Sequence, residues 1–250
     1  MIHILILFII GVLLGSFLNA WIWRTREKKS IVRGRSICPL CGASIMWFDN
    51  IPVISFLILA GKCRACKKPI ALRYPIVELF VGIVFAYTYW KHGMISLELI
   101  RDLFIIFFLT FVFVYDLFYK EIWDRASTIP AIILALFTLI YGWMAWQSML
   151  IGALVGAGFF LLQFVISKGK WIGGGDIRLG LFMGVILGWP HILVALMIAY
   201  VVGAVISIIL MALKKKTLAS ETPFGTYLAF ATVLTMFWGE QIMSWYIGLL

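Results

Sequence analysis

The chain consists of long apolar stretches separated by short polar ones. A helix needs about 20 residues to cross a hydrocarbon core of about 30 Å, and most of the stretches approach that length. The pattern therefore predicts an all-α integral membrane protein with about eight transmembrane helices. The predicted spans are residues 3–23, 74–90, 95–115, 129–149, 150–167, 178–189, 190–213 and 224–247.

Polar residues dominate one long segment, 24–73, between the first and second predicted spans. We therefore expect a first transmembrane helix over residues 1–23, a cytoplasmic segment over 24–73 and a multi-span domain over 74–250. The polar segment contains the apolar run IPVISFLILA at 51–60, which is too short to span a bilayer. A re-entrant or interfacial segment is the expected structure for this run.

Composition agrees with the apolar pattern and narrows the class of protein. Hydrophobic residues make up 64% of the chain and charged residues 13%, with a mean hydropathy of +1.07, so a soluble globule is excluded. The first apolar run is followed by basic residues and has no basic residues before it, so it is expected to remain as a helix and not to be a cleaved signal peptide.

The net charge of +10 is a topology signal, because basic loops stay on the cytoplasmic side of a membrane. Eleven of the 21 Lys and Arg residues fall in 24–73, two in 116–128, three in 168–178 and three at 214–216. In an eight-span protein with both termini outside, all four segments face the cytoplasm. The charge also favours contact with anionic lipid, and we expect no nucleic-acid binding because no soluble basic domain is present.

All four cysteines of the chain lie in the cytoplasmic segment as two C-x2-C pairs. They are Cys38, Cys41, Cys63 and Cys66. Four thiolates at this spacing can close a tetrahedral zinc site with no position left for water, which is typical of a structural site. The alternatives are two disulfides or four free thiols, and disulfides are disfavoured in a reducing cytoplasm.

Two aspartates lie at the edges of apolar stretches on the predicted cytoplasmic side. Asp116 ends one stretch, and Asp176 follows three glycines and precedes a span of only about 12 residues. Facing each other, two such carboxyls could share a proton and activate a water. Each also has a structural alternative: Asp176 could cap a helix N-terminus, and Asp116 could pair with Lys120 one turn away.

Other catalytic chemistry finds little support in the sequence. The three histidines, His3, His92 and His191, map to the outer face, so a Ser–His or Cys–His pair at the cytoplasmic face is excluded. The glycines before Asp176 lack the frame of a phosphate-binding loop. Glu78, an acid inside the second span, is expected to be a partner between helices, with Arg73 or Asn19 as the candidate contact.

Several motifs together resemble the prepilin peptidases, also called type IV leader peptidases. The matching residues are GSFLNAWIWR at 15–24, the two C-x2-C pairs around NIPVISFL, RYPIVE at 73–78, the Asp116 segment, GGGD at 173–176 and PFG at 223–225. GGGD alone also resembles the wider set of GxGD intramembrane aspartyl proteases. The resemblance implies that Asp116 and Asp176 are the catalytic pair. Trp123 stands where the family has a proline.

The resemblance further implies an aspartic endopeptidase of the bacterial inner membrane that removes the basic leader of prepilins or pseudopilins. Many members of the family also methylate the new N-terminus with S-adenosylmethionine. The sequence shows no G-x-G-x-x-G turn that would locate this methyl donor. A peptidase without methyl transfer, a membrane assembly scaffold and a transporter remain as alternatives.

Overall fold

Helices account for all the regular secondary structure in residues 2–215 and 222–249, the parts that this computed structural model describes. The predicted all-α class is thus confirmed. Lys216, one of the predicted cytoplasmic basic residues, lies outside the described residues. The helices are α1 (Ile2–Arg26), α2 (Ile54–Ile58), α3 (Arg73–His92), α4 (Leu97–Tyr119), α5 (Asp124–Tyr141), α6 (Trp146–Ser167), α7 (Gly174–Leu187), α8 (His191–Ala212) and α9 (Phe224–Ile247).

Each predicted span coincides with one of the longer helices, but one boundary is wrong. The fourth span was expected to run to residue 149, whereas α5 ends at Tyr141 and α6 begins at Trp146. Gly142 terminates α5 with a φ of 65°, a conformation that glycine adopts without strain. The loop carries no charged residue, so hydropathy gave no sign of it.

Among the described residues, four helices are long and apolar enough to cross a membrane by length and composition alone: α1, α5, α6 and α8. The short apolar run at 51–60 forms only the five-residue α2, preceded by a 3-10 turn at Trp47–Asn50. It is thus too short to span, as expected, and it lies within the segment that holds the cysteines.

The chain divides into two compact units, residues 1–107 and 108–250. In the first unit, α1 packs along α3 with almost no space between the backbones. A Cβ on Gly11 would lie 2.8 Å from the Gly82 Cα atom, and one on Gly15 would lie 2.8 Å from the Glu78 Cα atom. These glycines therefore set how closely Glu78 approaches the first helix.

In the second unit, the short helix α7 lies inside a group formed by α5, α6, α8 and α9. Nine of its 14 residues are buried, so it faces other helices and very little lipid. Its contact with α6 is a seam of glycines, where a Cβ on Gly156 would lie 2.2 Å from the Gly180 carbonyl oxygen. Such close approach of two backbones requires residues without side chains.

Candidate active site

Asp116 lies in the last turn of α4 and is held by the start of α9. The backbone N–H of Thr226 donates a hydrogen bond of 2.7 Å to the Asp116 Oδ2 atom, and the Thr226 hydroxyl donates a second one of 3.1 Å to the same atom. Asp116 is only 4% exposed. The structural alternative of a pair with Lys120 is wrong, because the carboxyl is bonded to α9 and not along its own helix.

Asp176 lies in the first turn of α7 and is 7% exposed. Its Oδ2 atom accepts a hydrogen bond of 2.9 Å from the N–H of Gly173, the residue that caps the helix. The capping alternative is therefore correct in part: Asp176 is not the cap residue itself, but its carboxyl satisfies the N–H of that residue. This bond fixes the side-chain direction and leaves a buried carboxyl at a helix N-terminus.

The two aspartates both belong to the second unit. Asp116 and Asp176 are close enough for their charges to interact. Two tyrosines are in electrostatic range as well, Tyr227 of Asp116 and Tyr200 of Asp176. The Tyr200 hydroxyl is oriented by a hydrogen bond of 2.9 Å to the Gln163 Oε1 atom. Two buried carboxyls and two tyrosines thus lie within electrostatic range in the second unit.

Ile122 packs between the segments that carry the two carboxyls. A Cβ on Gly175 would lie 2.8 Å from the Ile122 Cβ atom, and one on Gly225 would lie 2.9 Å from its Cδ1 atom and 3.2 Å from the Asp116 Cγ atom. Glycine at both positions lets these segments converge on one side chain. The glycines of GGGD and PFG thus serve close packing around the aspartates.

Trp123 keeps the backbone that the family's proline would impose. Its φ is −75°, within the range that a proline ring fixes, and its side chain packs on Phe111 with ring centroids 5.5 Å apart. The next residue, Asp124, begins α5 and pairs with Arg178 of α7. This pair links α5 to the helix that carries Asp176.

Sequence reasoning did not identify Thr226, Tyr200 or Tyr227 as part of this site. Thr226 directly follows the PFG motif, which was the one available signal, although the motif alone does not show what it contacts. Tyr200 lies within a uniformly apolar helix, where an aromatic residue is ordinary. Their positions beside the aspartates follow from the packing of α8 and α9 in the second unit.

The four cysteines form one cluster in the first unit. Their sulfur atoms all lie within 4.8 Å of one another. Each pair sits in a tight turn of the same design: the N–H of Gly42 donates to the Cys38 carbonyl at 2.9 Å, and the N–H of Lys67 donates to the Cys63 carbonyl at 2.9 Å. The thiols are not joined in disulfides. Four thiol groups at this separation fit a tetrahedral metal site.

The thiols of the cluster differ in acidity. A hydrogen bond from the Cys66 backbone lowers the pKa of the Cys63 thiol to about 7. At Cys41, a backbone hydrogen bond from Ala43 also lowers the pKa of the thiol. Burial and the neighbouring thiols outweigh it and raise this pKa to about 11. The Cys41 thiol therefore keeps its proton at neutral pH, and metal binding would release it.

Two family models match the chain. Residues 9–92 match the bacterial peptidase A24 N-terminal domain, and residues 103–208 match the type IV leader peptidase family. No solved structure matches the chain.

Three curated relatives are each named prepilin leader peptidase/N-methyltransferase. That of Legionella pneumophila is 30% identical over 90% of this chain and 79% of its own. That of Bacillus subtilis (strain 168) is 33% identical over 97% of both chains, and that of Stutzerimonas stutzeri is 30% identical over 96% and 92%. The chain is a multi-pass membrane protein that belongs to the type IV leader peptidase family.

Proposed function

We propose that this chain is a prepilin leader peptidase that uses Asp116 and Asp176 as an aspartyl dyad. The observation that carries the proposal is the pair itself: two buried carboxyls from different helices lie within range of each other's charge. Each is held by a backbone N–H, from Thr226 or from Gly173. A buried carboxylate is unfavourable for stability, so its placement within range of a second one calls for a chemical role.

The dyad supplies both the base and the acid that peptide hydrolysis needs. One carboxylate takes a proton from a water molecule, whose oxygen then bonds to the scissile carbonyl carbon. The other carboxyl, protonated, donates a hydrogen bond to the carbonyl oxygen. Collapse of the tetrahedral intermediate breaks the C–N bond, and the leaving nitrogen receives a proton from a carboxyl of the dyad. Because like charges held close do not both ionise, the pair starts with one proton shared between its members.

The proposed substrates are prepilins or pseudopilins, as the names of the relatives indicate. We place the protein in the bacterial inner membrane with both termini outside, so that the basic segments and the two aspartates face the cytoplasm. A substrate with a short basic leader would then be cut where its leader meets its membrane helix. Lipid and substrate are the partners in this proposal, and nucleic acid is not.

We assign the cysteine cluster to one structural zinc ion held by Cys38, Cys41, Cys63 and Cys66. The four sulfur atoms and the two matching turns fit zinc, and they leave no side for a reacting water. The ion would join the two ends of the segment that contains α2. In the proposed domain organisation, residues 24–73 are this zinc-binding segment, after the helix at 1–23 and before the peptidase domain at 74–250.

We also propose that the protein methylates the amino group that cleavage exposes, with S-adenosylmethionine as the methyl donor. The shared name of the relatives, which joins the peptidase to an N-methyltransferase, supports this step. The first unit, which matches a family model of its own, is where we place the activity.

Co-expression with a prepilin tests the peptidase. We expect the wild-type chain to shorten the prepilin, as read by mass spectrometry, and Asp116→Asn or Asp176→Asn to leave it uncut. Glu98→Gln is the control, because Glu98 is an exposed acid outside the pair. All variants should be equally abundant in the membrane fraction. Full cleavage by either dyad variant would contradict the aspartyl mechanism.

A further inference from the structure

The first unit contains a cavity of about 430 Å³ that the peptidase chemistry does not use. It lies between the ends of α1 and α3, the two cysteine turns and α2, and its lining is mostly apolar. A cavity of this size fits a ligand the size of a nucleoside derivative, and sites for such ligands place a few polar groups within apolar walls. Glu78 is one of the polar groups that line this cavity.

Glu78 is a buried acid without a cationic partner. It is 7% exposed and lines the cavity. Its Oε2 atom accepts a hydrogen bond of 2.8 Å from the N–H of Val53, and the Ser16 side chain lies near the carboxyl. The expected contacts with Arg73 and Asn19 are wrong, since the described residues give Glu78 no ion pair and Asn19 donates instead to the Tyr74 carbonyl. A buried negative charge is thus left to face the cavity.

The other charged groups that line the cavity are engaged elsewhere. Arg64 binds both oxygens of Asp49 at 2.7 Å, and Arg24 donates to the carbonyls of Ile31 and Gly34 at 2.7 and 2.8 Å. Arg73 donates to the Tyr74 hydroxyl at 3.3 Å and lies over the Tyr74 ring. None of the three arginines is paired with Glu78. The cavity therefore has mostly apolar walls and one carboxylate without a cationic partner, an arrangement that favours a ligand with a positive charge.

The backbone around Glu78 is strained in a way that holds it in place. Val53 has φ 61° and ψ −52°, a region that is rare for a β-branched residue. It is the centre of a tight γ-turn in which the N–H of Ile54 donates to the Pro52 carbonyl at 2.6 Å. This turn aims the Val53 N–H at Glu78. Strain of this kind persists where the surroundings enforce it and is concentrated at functional sites.

We propose that this cavity is the methyl-transfer site and that Glu78 binds the α-amino group which leader removal exposes. The inference rests on the proposed function and adds the location and the amine-binding residue. The amino group enters as an ammonium and gives one proton to the Glu78 carboxylate. Its lone pair then bonds to the methyl carbon of the sulfonium donor while the C–S bond breaks. The electron pair stays on sulfur, which becomes a neutral thioether, and the positive charge passes to the methylated nitrogen.

Glu78→Gln tests the charge without removing the acceptor. The amide oxygen of glutamine still accepts from Val53, so the γ-turn and the fold are retained. We expect the methylated fraction of cleaved substrate to form about 10- to 100-fold more slowly, since a hydrogen bond to a charged group is lost. Affinity for S-adenosylmethionine, measured by calorimetry, should stay within about twofold because Glu78 binds the amine. Glu98→Gln is the matched control, an exposed acid of the same unit outside the cavity.

A second measurement uses the unaltered protein. Short peptides with the mature N-terminal sequence of the substrate should inhibit methylation when their amino group is free and should fail when it is acetylated. Equal inhibition by both peptides, or a wild-type methylation rate in Glu78→Gln, overturns the assignment of Glu78. A wild-type protein that cleaves but never methylates overturns the methyl transfer of the proposed function together with this site, so the two failures are distinct.

Discussion

The glycine seam between α6 and α7 gives the sharpest prediction for the position of Asp176. Gly156→Ala would place a Cβ atom 2.2 Å from the Gly180 carbonyl oxygen, whereas ordinary contact begins at about 3.4 Å. The obstacle is backbone, which no side-chain rotation can move. The two helices must therefore separate by about 1 Å.

Such a separation of α6 and α7 would displace Asp176 of the proposed dyad. Gly180 is one helical turn from Asp176 on the same face of α7, so the carboxyl moves with it. A misplacement of about 1 Å in a catalytic group reduces rates about 100-fold. Overpacking of this kind also destabilises a protein by about 1–3 kcal/mol, which leaves most of the protein folded.

The matched control lies in the same helix. A Cβ on Gly158 would meet nothing within 4 Å, so Gly158→Ala adds the same methyl group without a clash. We expect its cleavage rate to stay within about twofold of the wild type. Both variants should be purified into lipid vesicles, and kcat/KM for removal of a prepilin leader measured together with thermal unfolding.

Two results would refute this reasoning. A Gly156→Ala protein that cleaves as fast as the wild type would show that the seam does not position Asp176. An equal loss in both variants would show that any added methyl group on α6 disturbs the protein, and that the close approach of the backbones is not the cause.

Four further predictions concern the site and the cysteine cluster. Thr226→Val removes one hydroxyl donor to Asp116 and keeps the backbone donor, so kcat should fall by the equivalent of about 1.5–3 kcal/mol at unchanged protein abundance; an unchanged kcat would contradict the contact. Gly225→Ala places a Cβ 3.2 Å from the Asp116 Cγ atom and should reduce cleavage without affecting metal content; normal activity would argue against a rigid site. Cys41→Ser, or a strong chelator, should remove about one zinc per chain and expose the segment to proteases, and unaltered protease resistance would speak against a structural ion. Lys67→Gly should slow proteolysis of the segment, because Lys67 has φ 59°, a conformation that costs a non-glycine residue about 1 kcal/mol, and faster proteolysis would contradict this account.

Much of the fold follows from the sequence because hydropathy and helix length are local properties. The predicted spans coincide with helices, and the cysteine spacing correctly predicts one cluster. The break after Tyr141 was missed because its signal is a single glycine conformation within an uncharged loop. The family was predicted correctly because its motifs are spread along nearly the whole chain.

The contacts of the candidate site were harder to predict, because they depend on segments far apart in sequence. Asp116 and Thr226 are separated by 110 positions, and only the packing of α4 against the start of α9 joins them. Glu78 was expected to bond to Arg73 or Asn19, but a strained turn at Val53 presents its N–H instead. The sequence did not indicate this turn, because a β-branched residue such as valine rarely adopts a positive φ.

The most direct test of the aspartyl dyad separates substrate binding from cleavage. Purified wild type and Asp176→Asn, in lipid vesicles of the same composition, should be compared for binding of a fluorescent prepilin and for its cleavage in a single turnover. We expect Asp176→Asn to bind the prepilin as tightly as the wild type and to leave its leader in place. Leader removal at the wild-type rate by Asp176→Asn would contradict the account.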